Sequence, residues 1–422
     1  MSKRSESQGP WKAPNSVAGS WDVIVVGARI GGAATAMQLA RRGHKVLLID
    51  RNRFPSDTLS THVIQLSGLK VLSDLGLLDA VAATGAPPIR GFKLHAGPFT
   101  LTGSPVPAEM VTDTLCVRRT KLDAVLVDAA RQSGVEVREH FTFLDVLADD
   151  SGVRGIRARS VEGRELIERA RVVVGADGKR SHVARAVGAG SYEAIPARTG
   201  IFYSYWEDVD FDRHEGHLYV LDRRTVAVFP TNDGQTMVGL QAPRSDFESI
   251  RRDVEGSFWD AANGVPDLAK RLRAGKRVER FRGTPDLDAF FRVPAGVGWA
   301  LVGDAGCHKD PITAQGISNA LRDSVFLADA LHDHLTGNRA WEGTGAEYQR
   351  RRDQAEMARY HWTAETAILD RPPAPETLAL FQALASNPRE VRRFFGLFAG
   401  TVEVEDFFSQ ESISRVLRAA AA

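Results

Sequence analysis

The stretch from residue 21 to residue 50, WDVIVVGARIGGAATAMQLARRGHKVLLID, constrains the fold more than any other part of this sequence. WDVIVV is a short β-branched run closed by glycine, which reads as a buried strand. Residues 31–42 favour a helix with Gly43 just past its end, and KVLLID at 45–50 is a second buried strand. Strand, glycine turn, helix and strand in such close succession open a doubly wound, Rossmann-like α/β domain.

Inside this unit Gly27, Gly32 and Asp50 fit a G-x-G-x-x-G turn with an acidic residue ending the second strand, and Arg51 follows it. Such a turn lets backbone approach a dinucleotide's diphosphate, whose charge sits at a helix start, while the acid accepts from a ribose hydroxyl. Arg29 stands where the second glycine is usual. Either its guanidinium supplements the phosphate contacts, its Cβ turned away, or the site has lost nucleotide affinity. The intact strand–turn–helix–strand context favours the first. Taken alone, the stretch leaves an NAD-type domain as a rival.

The rest of the chain narrows the field. Its 54 basic and 53 acidic residues give a net charge of +1, so nothing electrostatic points to nucleic acid or an anionic membrane. The two cysteines, Cys116 and Cys307, lack near partners, so no metal site or disulfide framework is expected, and a reducing, cytoplasmic setting fits. Residues 1–19 are polar and read as a disordered tail, and no apolar run reaches the roughly 18 residues of a membrane span. The 422 residues suggest two or three domains. We expect a discontinuous α/β domain over 20–94, 116–188 and 292–345, in which VEVREHFTFLDVLAD, GVRGIRARSV and RELIERARVVVGAD form an antiparallel meander that rejoins the parallel sheet. Alternating, aromatic-rich segments such as TGIFYSYWEDV and TMVGLQ place 95–115 with 189–291 in a mostly antiparallel sheet domain, and 346–422 are helical.

Two later stretches complete a pattern: Gly175-Ala176-Asp177-Gly178, then Gly303-Asp304-Ala305 followed by Asp310-Pro311-Ile312-Thr313-Ala314-Gln315-Gly316. A G-x-G-x-x-G turn, a DG motif and a GD motif before a Pro/Gly turn, in that order across roughly residues 20–345, resemble the aromatic-hydroxylase (group A) flavoprotein monooxygenases. Flavin-dependent halogenases and geranylgeranyl reductases share the plan. The resemblance implies non-covalent FAD, with Gly27, Gly32 and Asp50 at its ADP half. It implies that Arg119, in Arg-x-x-Leu-Asp, reaches the phosphate or ribityl region, and that Asp304 bonds the ribityl chain. Pro311 through Gly316, including Ala314 and Gln315, would border the ring. Asp177 and Gly178 would lie near the diphosphate and influence NAD(P)H use. Departures are Cys307 where the family often has histidine, Ala314 for a common glycine, and Ser318 for asparagine.

The segment 54–62, FPSDTLSTH, occupies the place of one that lies along the flavin in halogenases and prenyl reductases. His62 on this reading approaches the ring or diphosphate; otherwise it belongs to a surface loop. Further alternatives stay open: Asp177-Gly178 as a plain turn, Asp304 as a helix cap, His308 as a loop-stabilising residue, and Tyr203, Tyr205, Trp206 and Phe229 as sheet core. The resemblance implies that NADH or NADPH reduces FAD, and that O2 trapped as a C4a-hydroperoxide hydroxylates a small aromatic or polycyclic substrate. No catalytic base and no oligomeric state are assigned. The halogenase Trp-x-Trp-x-Ile-Pro segment is not matched by Tyr203-Ser204-Tyr205-Trp206-Glu207-Asp208. Val228-Phe229-Pro230 resembles a prenyl-reductase segment, which keeps an FAD-dependent reductase as an alternative. Arg29 and Ala314 motivate a non-enzymatic, binding-only alternative.

Overall fold

The computed structural model describes residues 20–419. The tail expected over 1–19 lies outside the described residues. The opening strand Trp21–Val26 pairs in parallel with Val46–Ile49 on one side and with Glu165–Gly175 on the other. Glu136–Arg138 and Trp299–Leu301 extend the parallel core outward. The helix runs Ile30–Arg41, and Gly43 beyond it takes a left-handed φ of 88° that an L-residue would resist. Strand Glu165–Gly175 does two jobs. Its first half pairs antiparallel with Gly152–Arg159, which in turn pairs with Thr142–Asp149, and its second half joins the parallel sheet. This is the meander expected from the Gly-containing turns.

A second, eight-stranded sheet lies beside the first domain in sequence and is mostly antiparallel. Thr199–Glu207, Thr236–Pro243, Arg224–Pro230 and Glu215–Leu221 are neighbours in it, followed by Gly91–Ala96 and Phe99–Gly103. One pairing, Glu215–Leu221 with Gly91–Ala96, is parallel. The strand Gly91–Ala96 therefore starts inside the segment assigned from sequence to the first domain. Its alternating burial follows F-K-L-H-A, a pattern too short to separate from the preceding helical region by periodicity.

One face of this sheet, with Tyr203, Tyr205, Phe229 and Met237, packs against Leu384, Phe394, Phe395 and Phe407 of the C-terminal helices. The opposite face, with Trp206, Tyr219 and Val238, packs on Phe258 and Leu268 of two short helices. The long helix Gly316–Leu335 lies along the first helix of the parallel domain, where Gln38 Nε2 donates to Ser324 Oγ at 3.1 Å. Its start is thereby held at the same end of the parallel sheet as the opening glycine turn. Among the described residues no helix is long and apolar enough to cross a membrane.

Candidate functional site

The opening turn is built by steric exclusion. A Cβ on Gly32 would lie 1.8 Å from Gly27 O, and one on Gly27, itself at φ 104°, would lie 2.4 Å from Ala176 O. No side chain fits at either place. Arg29 differs in kind. Its φ of −86° and ψ of −163° are open to any residue, so the missing glycine carries no backbone cost. The helix that follows begins without a side-chain cap and without an acid in its first turn. Its free N–H groups and dipole favour an anion.

Asp50 fastens the glycine turn to the next one. Its Oδ2 accepts from Ala28 N–H at 2.8 Å, and its Oδ1 accepts from Asn52 N–H at 2.8 Å and from Asn52 Nδ2 at 3.1 Å. The Arg29 guanidinium is spent on the protein. It donates to Ser56 O at 3.3 Å, Ser56 Oγ at 3.0 Å and Asp57 O at 3.1 Å, and it pairs with Asp123. The same buried Asp123 accepts from Arg119 Nε at 2.9 Å and Nη2 at 3.1 Å. One carboxylate thus serves two guanidiniums, leaving a positive surplus beside the uncapped helix start. These hydrogen bonds hold segment 56–57 in place and leave the Arg29 charge beside the helix start.

A cleft of about 730 Å³ gathers residues from all three motif-bearing stretches. This is within the roughly 300–1,000 Å³ range of small-molecule and cofactor sites. Gly27, Arg29, Asp50, Arg51, Arg119, Asp177, Gly178, Asp304, Pro311, Ala314 and Gly316 all line it. Asp177 does structural work as well, accepting from Ser181 Oγ at 2.5 Å and from His182 N–H at 2.6 Å to cap a short helix. Asp304 is exposed on the cleft wall, and its 3-10 turn has no side-chain cap bond, so it is no helix cap.

Three of the candidate residues do not open onto the cleft. Gly32 is sealed under the turn it permits. Gln315 turns the other way: Nε2 donates to Leu397 O at 2.8 Å and Phe398 O at 3.1 Å, while Oε1 accepts from Lys309 Nζ at 2.7 Å. It clasps the turn to the C-terminal helices. His62 is neither on the cleft nor in a surface loop. It is fully buried at a left-handed φ of 62°, with Nε2 2.5 Å from the Tyr205 hydroxyl. Burial, with Arg119 and Arg118 nearby, pushes its pKa down to about 3, so it is neutral. The Arg118 guanidinium stacks 3.7 Å above the Tyr205 ring and completes the cluster that draws His62 inward.

Of the segment 54–62, Thr58, Leu59, Ser60 and Thr61 line the cleft, and so does Tyr203; Phe141 and Phe143, which the motifs did not single out, line it as well. Tyr205, Trp206 and Phe229 are buried sheet core. At the opposite motif, Ala314 holds a left-handed φ of 51°, where glycine would be unstrained. Beside it lies a buried charge cluster in which Lys309 pairs with Glu356, and Glu356 also accepts from Arg322 Nη1 at 2.9 Å and Asn319 Nδ2 at 2.9 Å. Burial lowers the Lys309 pKa; Glu356, which burial alone would raise, is held below the carboxylate range by Lys309 and Arg322. Sequence signalled none of this, because Glu356 is far along the chain and sits in a helix of mixed polarity. His308 Nδ1 donates to Asp288 O at 2.7 Å, as a loop-stabilising residue would.

A parallel sheet with a glycine turn at a helix start, a second sheet and one long cleft between motif-bearing turns define a nucleotide-dependent oxidoreductase fold. Residues 20–293 match the family model described as FAD binding domain, and the chain belongs to that family of FAD-dependent oxidoreductases. The 1H-pyrrole-2-carbonyl-[peptidyl-carrier protein] brominase of Pseudoalteromonas luteoviolacea is 23% identical over 359 residues, covering 81% of this chain and 86% of its own. The 2,4-dichlorophenol 6-monooxygenase of Delftia acidovorans is 24% identical over 411 residues, 88% of this chain and 66% of its own. The solved structure of the myxobacterial chondrochloren halogenase CndH superposes with a TM-score of 0.74 at 24% identity, covering 95% of this chain and 97% of that one.

Proposed function

We propose that this enzyme is an FAD-dependent monooxygenase that uses NADH or NADPH and O2 to hydroxylate a small aromatic or polycyclic substrate. The observation that carries the reading is the convergence of the three motif-bearing stretches on one cleft, with a cationic surplus at its glycine turn. The residues present suit FAD. Gly27 and Gly32 permit the tight turn that would bring backbone to the diphosphate, and Arg29, Arg119 and the helix start at Ile30 supply the charge it needs. Asp50 and Arg51 would hold the adenosine side, Asp304 the ribityl chain, and Pro311, Ala314 and Gly316 the ring. Asp177 and Gly178 would border the diphosphate. When bound, FAD stores two electrons and activates O2; the chain's part is to bind, orient and keep water out.

Exclusion of water falls to the second sheet. Tyr203 and Ala314 line the cleft and are backed by the buried apolar cluster of Phe229 and Phe394, which would keep that wall dry beside an aromatic or polycyclic ligand. A cytoplasmic setting and a soluble, small-molecule partner belong to the same proposal. The brominase and halogenase likenesses favour halogenation as a second reading, against which stands Tyr203-Ser204-Tyr205-Trp206-Glu207-Asp208 in place of the expected tryptophan motif. The reductase alternative rests on Val228-Phe229-Pro230. A binding-only protein loses its motive, since neither Arg29 nor Ala314 closes the cleft.

The deciding experiment reduces the FAD-loaded protein anaerobically with NADH or NADPH and then admits O2 with a panel of phenols and polycyclic aromatics. A product carrying one oxygen atom from labelled O2 is expected. A halogenated product when bromide or chloride is supplied, or O2-independent saturation of an isoprenoid, would replace the proposal with the corresponding alternative.

A further inference from the structure

Asp310, immediately before the Pro311 turn, lines the cleft yet is only 5% exposed. Its Oδ2 accepts from Thr199 Oγ1 at 2.5 Å, and its Oδ1 accepts from Gln241 Nε2 at 2.6 Å and from Ile312 N–H at 3.0 Å. Gln241 Nε2 also donates to Thr199 Oγ1 at 2.6 Å, so the hydroxyl's proton is directed at the carboxyl. Every other acid buried in this part of the molecule has a cation. Glu356 has Lys309 and Arg322, and Asp323 has Arg322. Among the described residues, no lysine or arginine bonds Asp310.

The charged and titratable groups around it are otherwise engaged. Lys309 Nζ goes to Glu356 and Gln315, and His308 to Asp288 O. Arg198 bonds Ala364 O and lies 3.3 Å from Glu365, and the Tyr360 hydroxyl donates to Glu193 O. The strands that face the carboxyl, Thr199–Glu207 and Thr236–Pro243, offer only the neutral Thr199 and Gln241. A buried carboxyl without a counter-ion is stable neutral and costly as an anion.

We infer that Asp310 is a redox-linked proton holder, taking up a proton from solvent when the flavin is reduced and giving it back on reoxidation. This rests on the proposed seat of the ring beside the Pro311 turn. Reduction by a nicotinamide adds two electrons and one proton to the ring, leaving it one unit more negative. One proton moving from solvent to the Asp310 carboxylate restores the charge of the site, and no further oxidant or reductant is needed. Burial favours the neutral carboxyl and raises its pKa, while the donors Thr199, Gln241 and the Ile312 N–H favour the anion, so each form has support from the surrounding groups. Asp310 is a positioning residue for charge and needs no contact with substrate.

The test is a spectroelectrochemical titration of the FAD-loaded protein and its Asp310→Asn variant from mildly acidic to mildly alkaline pH. The two midpoint potentials should coincide in acid and separate in alkali, with the wild type lower, because only it gains a negative charge there. Thr199→Val keeps the carboxyl but removes a donor to it, and should move the point of separation to higher pH. A weakly buffered wild-type sample reduced near that point should take up more protons than Asp310→Asn. Superimposed or parallel curves, with equal proton uptake, overturn the inference while FAD binding stands. A wild type that holds no FAD in the cleft overturns both this and the reading it rests on, and the bound-flavin spectrum separates the two failures.

Discussion

The glycine turn at 27–32 and the proline turn at 310–316 each depart from the family pattern at one position, and the departures differ physically. Arg29 replaces a glycine at φ −86°, where any residue is at ease, and its guanidinium finds Asp123, Ser56 and Asp57. Ala314 replaces a glycine at φ 51°, where an L-residue is strained. The electrostatics are also opposed. The first turn carries two guanidiniums on one carboxylate, while the second carries a buried carboxyl with no cation bonded to it among the described residues. A motif letter therefore matters only as far as the backbone angle and the available space at that position require it.

The comparison breaks most severely at Gly32. Gly32→Ala forces a Cβ to within 1.8 Å of Gly27 O, and backbone must move to admit it. We expect a loss of about 4 kcal/mol or failure to fold, placing it in the exceptional tail of single substitutions. Urea unfolding and FAD retention measure it; a near-native midpoint would show the turn to be far looser than drawn. Asp123→Ala comes next. It leaves Arg29 and Arg119, both largely buried, without a carboxylate, for a loss of about 3 kcal/mol. Arg29→Gly should cost less than Asp123→Ala, because Arg119 and Asp123 then form an ordinary pair. If Arg29→Gly proves the worse of the two, the guanidinium has a role at the cofactor that its hydrogen bonds do not reveal.

Much of this was legible in advance, for local reasons. The first strand, the first helix and Gly43 follow from a continuous run with one period throughout. The same holds for the meander into VVVGAD, whose strands are bounded by Gly-containing turns. The membership of Gly91–Ala96 in the second sheet was not legible, since its partner Glu215–Leu221 lies over a hundred residues away and pairs in parallel. His62 was misplaced because sequence showed its loop but not Tyr205 and Arg118, which are brought to it by the second sheet. Gln315 was misplaced for a like reason: its partners are backbone carbonyls at Leu397 and Phe398. Asp310 was read only as part of a motif, because burial without a counter-ion cannot be seen in one dimension.

The two turns should also differ in how acid and base act on stability. His62, beside Arg119, has its ordinary pKa of 6.5 lowered to about 3 in the fold. The unfolded chain therefore binds more protons between those values, so stability is full above the unfolded pKa and falls as pH drops through that window, by up to about 1.4 kcal/mol per pH unit. Asp310 works in the opposite sense: its pKa is raised, so its contribution is full below the unfolded value and is lost as pH rises through the folded one. His62→Asn should flatten the acid side of a stability–pH curve measured by urea midpoints, and Asp310→Asn should not. An unchanged acid slope in His62→Asn would mean that other groups, not this imidazole, govern acid unfolding.

The smallest expected effect is also the sharpest test of the contrast between the turns. Ala314→Gly releases a left-handed L-residue worth about 1–2 kcal/mol. Against this stand the greater freedom of glycine in the unfolded chain, about 0.5–1 kcal/mol, and the loss of a methyl from the apolar cluster beneath the turn. The net should be a gain of about 0.5 kcal/mol or less, seen as a small rise in melting temperature. Arg29→Gly offers no strain to relieve and loses an ion pair, so it should move the melting temperature down. Opposite signs for two substitutions that both restore the family glycine would show that backbone angle, not resemblance to a motif, decides what each position tolerates. Equal signs would mean that the left-handed turn at Ala314 is relaxed by its neighbours, and the strain argument would have to be withdrawn.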